Sequence, residues 1–186
     1  MENLKAYFSY SGFQGDALEQ IANAFILKEY DKGDYFIEEG QVCRHLGFVE
    51  NGLFQYYLLL DGEEKTTYTC STNSLIVSLV SLFKEVNSRI NIRALKKSKV
   101  YLIDKKSLIE LQDEVPGFKD FYIALIEWQI GCIDETRLDA ITLSPTQRYQ
   151  KLLENEPHLL QEVPLKYIAS ILGVTERHLS RIRKTI

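Results

Sequence analysis

The sequence predicts an α+β fold: an N-terminal β-roll or jelly roll, one long helix, and a C-terminal helix-turn-helix. Three observations predict it. Across residues 23–104, short runs of strand-forming residues recur between Gly33, Gly40, Gly52 and Gly62, the spacing of a small barrel or jelly roll. Across residues 118–140, apolar residues return every three or four positions, the period of a helix. Near the C-terminus, two short apolar-patterned segments flank Gly173, as two helices do when they cross at a tight turn.

The elements follow in order. Residues 2–8 read as a helix, and Asp16 as the N-cap of a short helix through Ala22. Strands are expected at residues 34–37, 45–50, 53–60, 65–70, 75–79, 90–95 and 100–104, with Asp61 and Gly62 forming a hairpin turn. Residues 105–114 read as a helix stopped by Pro116 and Gly117. The long helix carries Phe118, Phe121, Tyr122, Leu125, Trp128, Cys132 and Ile133 as one stripe. Part of that stripe can pack on the barrel. Phe121, Leu125, Trp128 and Cys132 are the expected seam of a two-stranded coiled coil between two copies of the chain. Ser144, Pro145 and Gln147 form a capping box with proline at the first helical position, which marks a domain boundary. The expected division is residues 1–117 for the roll with its flanking helices, 118–142 for the dimerisation helix, and 143–186 for the helix-turn-helix domain.

Composition narrows the class. With 45% hydrophobic and 26% charged residues, the chain reads as a soluble globular protein. It has no apolar run fit for a transmembrane helix. Its first residues lack the basic-then-apolar layout of a signal peptide, so a cytoplasmic location is expected. Cys43, Cys70 and Cys132 are odd in number and widely spaced, which argues for reduced thiols and against a disulfide framework or a zinc site. The net charge is −4, but it is unevenly placed. From Leu165 onward five Lys or Arg face one acid, giving +4, while the rest of the chain carries −8. An acidic body with one basic tip favours a single docking orientation on a polyanion.

The residues of that tip meet several steric demands at once. Ile168, Leu172, Val174, Leu179 and Ile182 supply the apolar contact between two crossing helices. Ala169 is small where the helices approach, and Gly173 stands where the turn needs positive φ. Thr175 can cap the second helix. On this reading Glu176, Arg177, Ser180 and Arg181 face base edges in a major groove. Lys166, Thr175, His178, Arg183 and Lys184 face phosphates, although His178 reads equally as a packed turn residue. Two such helices about a two-fold axis imply double-stranded DNA with an inverted repeat.

This order of barrel, short helix, long helix and helix-turn-helix resembles the CRP/FNR family of transcriptional regulators. Residues 30–40 look like the opening of that family's β-roll, residues 45–52 its next hairpin, and residues 91–95 with 100–104 its closing strands. Residues 163–173 and 179–184 resemble its DNA-binding signature. The resemblance implies a homodimeric regulator with RNA polymerase as a further partner and a small-molecule effector of unknown identity. Cyclic-nucleotide-binding members carry Gly-Glu at the start of a phosphate cassette and Arg-Ser or Arg-Thr at its end. Here Val77-Ser78 and Ser88-Arg89 stand in those places. The ribose carboxylate is missing and Arg89 is displaced by one residue, which in a strand turns it to the other face. Binding of cAMP or cGMP is therefore not expected.

Other functions lack their residues. The N-terminal cysteine cluster of iron–sulfur relatives is absent, and His45, His158 and His178 are too dispersed for haem or for a cupin-type metal enzyme. No catalytic residue, metal or cofactor is expected. The chain stops two residues past Lys184, where many relatives continue into a β-hairpin wing, so fewer backbone contacts to DNA are expected. Two rival readings remain: a small-molecule-binding sensor whose helix-turn-helix is degenerate and no longer binds DNA, and an enzyme built on the jelly roll.

Overall fold

The computed structural model describes residues 1–157 and 159–185; His158, read above as no ligand, and Ile186 lie outside the described residues. Two helices open the chain, α1 (Glu2–Tyr10) and α2 (Gly15–Asn23). The strands β1 (Ile26–Tyr30), β2 (Tyr35–Ile37), β3 (His45–Asn51), β4 (Leu53–Leu60), β5 (Glu63–Ser71), β6 (Leu75–Ile76), β7 (Asn91–Ala94) and β8 (Ser98–Asp104) follow, with α3 (Leu79–Lys84) between β6 and β7. They form two antiparallel four-stranded sheets, ordered β1-β8-β3-β6 and β2-β7-β4-β5. Ile37, Val49, Phe54, Tyr56, Ile92 and Val100 fill the space between the sheets. Asp61 (φ 51°) and Gly62 (φ 80°) join β4 to β5, the two positive φ values that a two-residue hairpin needs to match strand twist.

Strand β4 is buried on both faces along most of its length. Phe54 and Tyr56 point into the roll. Leu53, Gln55 and Tyr57 alternate to the outside, yet they too are buried: Leu53 under the C-terminal helices, Gln55 against Thr66 and Arg93, and Tyr57 against Tyr35 and the Arg93 guanidinium. Leu53 packs among the residues of the helix-turn-helix core. That alternation accounts for a strand with almost no polar rhythm.

Three expectations are corrected. The strand expected at residues 75–79 is only Leu75–Ile76; it meets just Gly47 and Phe48 of β3, and from Ser78 the chain turns into α3, which buries Ser81 and Leu82. Asp16 is not an N-cap. The cap position is Gln14, and Asp16 sits in the first turn of α2, where its charge favours the positive helix end. Strand β1 was not among the expected strands: four of its five residues are exposed, because it is a sheet edge carrying Lys28 and Glu29, charges that discourage further pairing.

Helix α4 (Lys105–Glu114) is capped by Asp104, which accepts from the Ser107 N–H. Gly117 (φ 80°) then turns the chain into the 25-residue helix α5 (Phe118–Thr142). Its first turns close an aromatic cluster with Phe8 and Phe13, whose rings lie 5.6 Å and 5.5 Å from that of Phe121. Phe118 is its one fully buried residue. The C-terminal unit comprises α6 (Pro145–Asn155), α7 (Leu159–Glu162), α8 (Leu165–Ile171) and α9 (Glu176–Thr185). The capping box at Ser144 and Gln147 is formed as expected.

Candidate nucleic-acid interface

Helices α8 and α9 cross at a turn closed by backbone hydrogen bonds from Gly173 to Ser170 (3.0 Å) and from Val174 to Ala169 (2.9 Å). Gly173 holds φ at +66°, a conformation in which a Cβ would be strained. Ala169, Ile168, Leu172, Leu179 and Ile182 are all buried in the joint. Thr175 Oγ1 accepts the His178 N–H at 3.2 Å, so it caps α9 as the sequence suggested. A residue that the sequence reading missed braces the turn from outside. Arg148 of α6 donates to the Leu172 carbonyl at 2.9 Å, occupying an acceptor that the end of α8 would otherwise leave open. A lone arginine beside a capping box carries no pattern that would announce this.

The buried residues fix which way α9 faces. Leu179 and Ile182 point inward. With 100° per residue, Arg177, Arg181 and Lys184 fall in one row on the opposite side, and all three are exposed. Glu176, Arg183, Thr175 and Lys166 are exposed as well, while Ser180 and His178 are half-buried at the flanks of the row. Among the described residues, none of the α9 cations enters an ion pair. The row is thus a cationic stripe on a helix, with no ion pair among the described residues, suited to a groove lined by phosphates.

Of the four residues expected at a seam between two copies, α5 presents them unequally. Phe121 is turned into the aromatic cluster, and Leu125 and Cys132 are half-buried on the same side. Trp128 stands out, 64% exposed. At 100° per residue Trp128 continues the face of Phe121 and Leu125, past the end of the aromatic cluster, while Ile123, Ile130 and Ile141, also exposed, lie on the opposite face of the helix. A helix with apolar residues on its free side as well as its packed side is one that something else must cover.

The roll interior bears on ligand binding. Ser78 and Ser88, at the ends of the cassette-like segment, hydrogen-bond to each other through their hydroxyls at 3.0 Å, and both are buried. Arg89 is exposed. The only acid between Leu75 and Ile90 is Glu85, which is exposed and paired with Lys105 at 2.6 Å. Between the roll and α5, Phe8, Phe25, Phe118 and Leu125 leave a cavity of about 10 Å³, room for no more than one water. These residues do not fit a cyclic nucleotide: nothing is placed for the ribose, and no free guanidinium faces the interior of the segment.

Residues 27–114 match the cyclic nucleotide-binding domain. No curated protein matches the chain by sequence. Among solved structures, FixK2 from Bradyrhizobium japonicum is 17% identical with a TM-score of 0.71, over 87% of this chain and 83% of its own. A protein of Eubacterium rectale assigned to the CRP/FNR regulators is 17% identical with a TM-score of 0.67, over 97% and 87%. The catabolite activator protein of Thermus thermophilus is 16% identical with a TM-score of 0.61, over 95% and 84%. The chain thus has a cyclic nucleotide-binding-like domain within a fold shared with these regulators. Among the described residues, no helix is long and apolar enough to cross a membrane.

Proposed function

We propose that the chain is a sequence-specific transcriptional regulator of the CRP/FNR type, not an enzyme, and that it binds an inverted-repeat operator as a homodimer. The observation that carries this reading is the row Arg177, Arg181 and Lys184, exposed on the side of α9 opposite Leu179 and Ile182. A helix locked by its buried face against α8 offers that row to a major groove, with Glu176, Arg177, Ser180 and Arg181 at base edges. Lys166, Thr175, His178, Arg183 and Lys184 then set the register against phosphates. Dimerisation uses the free apolar side of α5, centred on Trp128. RNA polymerase is the further partner that such a regulator implies.

The effector in this reading is not cAMP or cGMP, because the Ser78–Ser88 hydrogen bond and the exposed Arg89 leave no anion and ribose site. Selection from random DNA tests the main reading. An inverted repeat should emerge, with half-sites about one helical turn apart, and Arg181→Ala should lose roughly 1–3 kcal/mol and relax one position of each half-site. Failure to select any sequence sinks it.

A further inference from the structure

The helix-turn-helix unit does not hang from α5 by its linker. It is fastened to its own roll. Leu53 of β4 is 4% exposed and lies in the core of the C-terminal helices, beside Tyr149, Val163 and Leu172. Ser170 of α8 reaches β5, accepting the Thr66 N–H at 2.8 Å and donating to the Thr66 carbonyl at 3.3 Å. Thr66 belongs in turn to a polar network on the outer face of the sheet. Its hydroxyl accepts from the Gln55 amide at 2.9 Å, and Gln55 accepts from Arg93 at 2.9 Å. Arg93 also pairs with Glu64 at 2.7 Å. Gln55 is fully buried although it faces outward from the roll, and its amide finds its partners there. One ion pair also joins the roll to the C-terminal helices, Lys96 with Glu162 at 3.2 Å.

We propose that the roll and the helix-turn-helix of one protomer are a single, jointly folded rigid body. Any change in DNA affinity is then made by turning one protomer against the other about α5. The helix-turn-helix does not swing on its own roll. The physical reason is that swinging would pull Leu53 out of a core that also holds α8 and α9. It would also unpair the backbone of an edge strand at Thr66 and break a fixed hydrogen-bond register. A hinge would be expected to run through weak, solvated contacts. The contact here is apolar at its centre and polar in a specified order around it. The DNA clause of this inference rests on the function proposed above; the rigid body does not.

The test locks the contact. In the full chain, Lys96→Cys with Glu162→Cys is joined by a short, cleavable thiol crosslinker, with each single variant controlling for reaction at Cys132. If the docked arrangement is the binding-competent one, the locked protein holds the selected operator within about twofold of the same protein after cleavage. A locked protein that binds more than about tenfold more weakly, and recovers on cleavage, overturns the inference. So does a pair that cannot be crosslinked, since the two positions would not be neighbours in solution.

If neither form binds any DNA, only the DNA reading fails, and the rigid body is judged by hydrogen exchange. Leu53→Val, which keeps a branched apolar side chain, should speed exchange of the buried α8 and α9 amides about fivefold along with those of β4. Faster exchange in β4 with no change in α8 and α9 would show two separately folded parts.

Discussion

Gly131→Ala separates what α5 needs within one protomer from what it needs against a second. A Cβ built at Gly131 meets nothing within 4 Å, so the glycine relieves no crowding in its own chain. In a helix interior glycine is less favourable than alanine by about 0.8–1.0 kcal/mol. The isolated protomer should therefore gain about that much, raising its melting temperature by roughly 2–4 °C for a chain of this size. The proposed dimer should respond in the opposite sense. Gly131 lies three residues from Trp128, on the open side of α5, where the missing side chain leaves a hole that the partner's indole can enter. A methyl group there overpacks the contact by about 1–3 kcal/mol, weakening the dimer about 5- to 150-fold. Sedimentation over a dilution series reads the dimer, and thermal unfolding at the lowest concentration reads the protomer. A dimer as tight as the parent's, or tighter, would refute the placement of the seam over Gly131.

Gly173→Ala would force a side chain into φ +66° and should destabilise the C-terminal unit by about 1–2 kcal/mol, visible as faster hydrogen exchange of the buried α8 and α9 amides. Glu50 of β3 accepts the Leu4 N–H at 3.0 Å and the Asn3 N–H at 3.2 Å, capping α1 from outside the helix. Burial raises its pKa, but the N-terminal ammonium and these N–H donors outweigh it and hold the carboxyl below its ordinary value. A depressed carboxyl stabilises above its unfolded pKa, and loses that contribution as pH falls through the folded one. Glu50→Gln should therefore cost about 1–2 kcal/mol at pH 7 and the difference from the parent should vanish in acid; a pH-independent difference would contradict the assignment. Burial raises all three thiols, that of Cys70 to about 12, but Cys43 and Cys70 are buried and Cys132 is half-exposed, so a thiol reagent should modify Cys132 slowly and alone until the protein unfolds.

Most of the fold was legible because its signals are local. The Asp61-Gly62 turn, the Ser144 helix start and the Gly173 turn each need particular residue types at fixed spacing, and each is where the sequence placed it. What the sequence hid is what depends on tertiary neighbours. Phe121 shares the helical period of Trp128 and reads as the same stripe; only α1 and α2, arriving from the other end of the chain, draw its ring inward. Strand β1 is invisible to alternation because its register is supplied by β8. The candidate interface was legible in its turn and its charges. Its supports, Arg148, Ser170 and Leu53, were not, since one side-chain donor, one hydroxyl and one leucine have no spacing of their own.

Ser170 has a bearing on solubility as well as on architecture. Strand β5 ends its sheet, and a free strand edge is a template on which identical chains can stack. With α8 laid along β5 at Thr66, part of that template is sealed within the molecule. The opposite margin is short, since β2 has three residues and a break in register. A variant that loosens α8 from β5 should therefore reveal itself first as fibrous or amorphous aggregate.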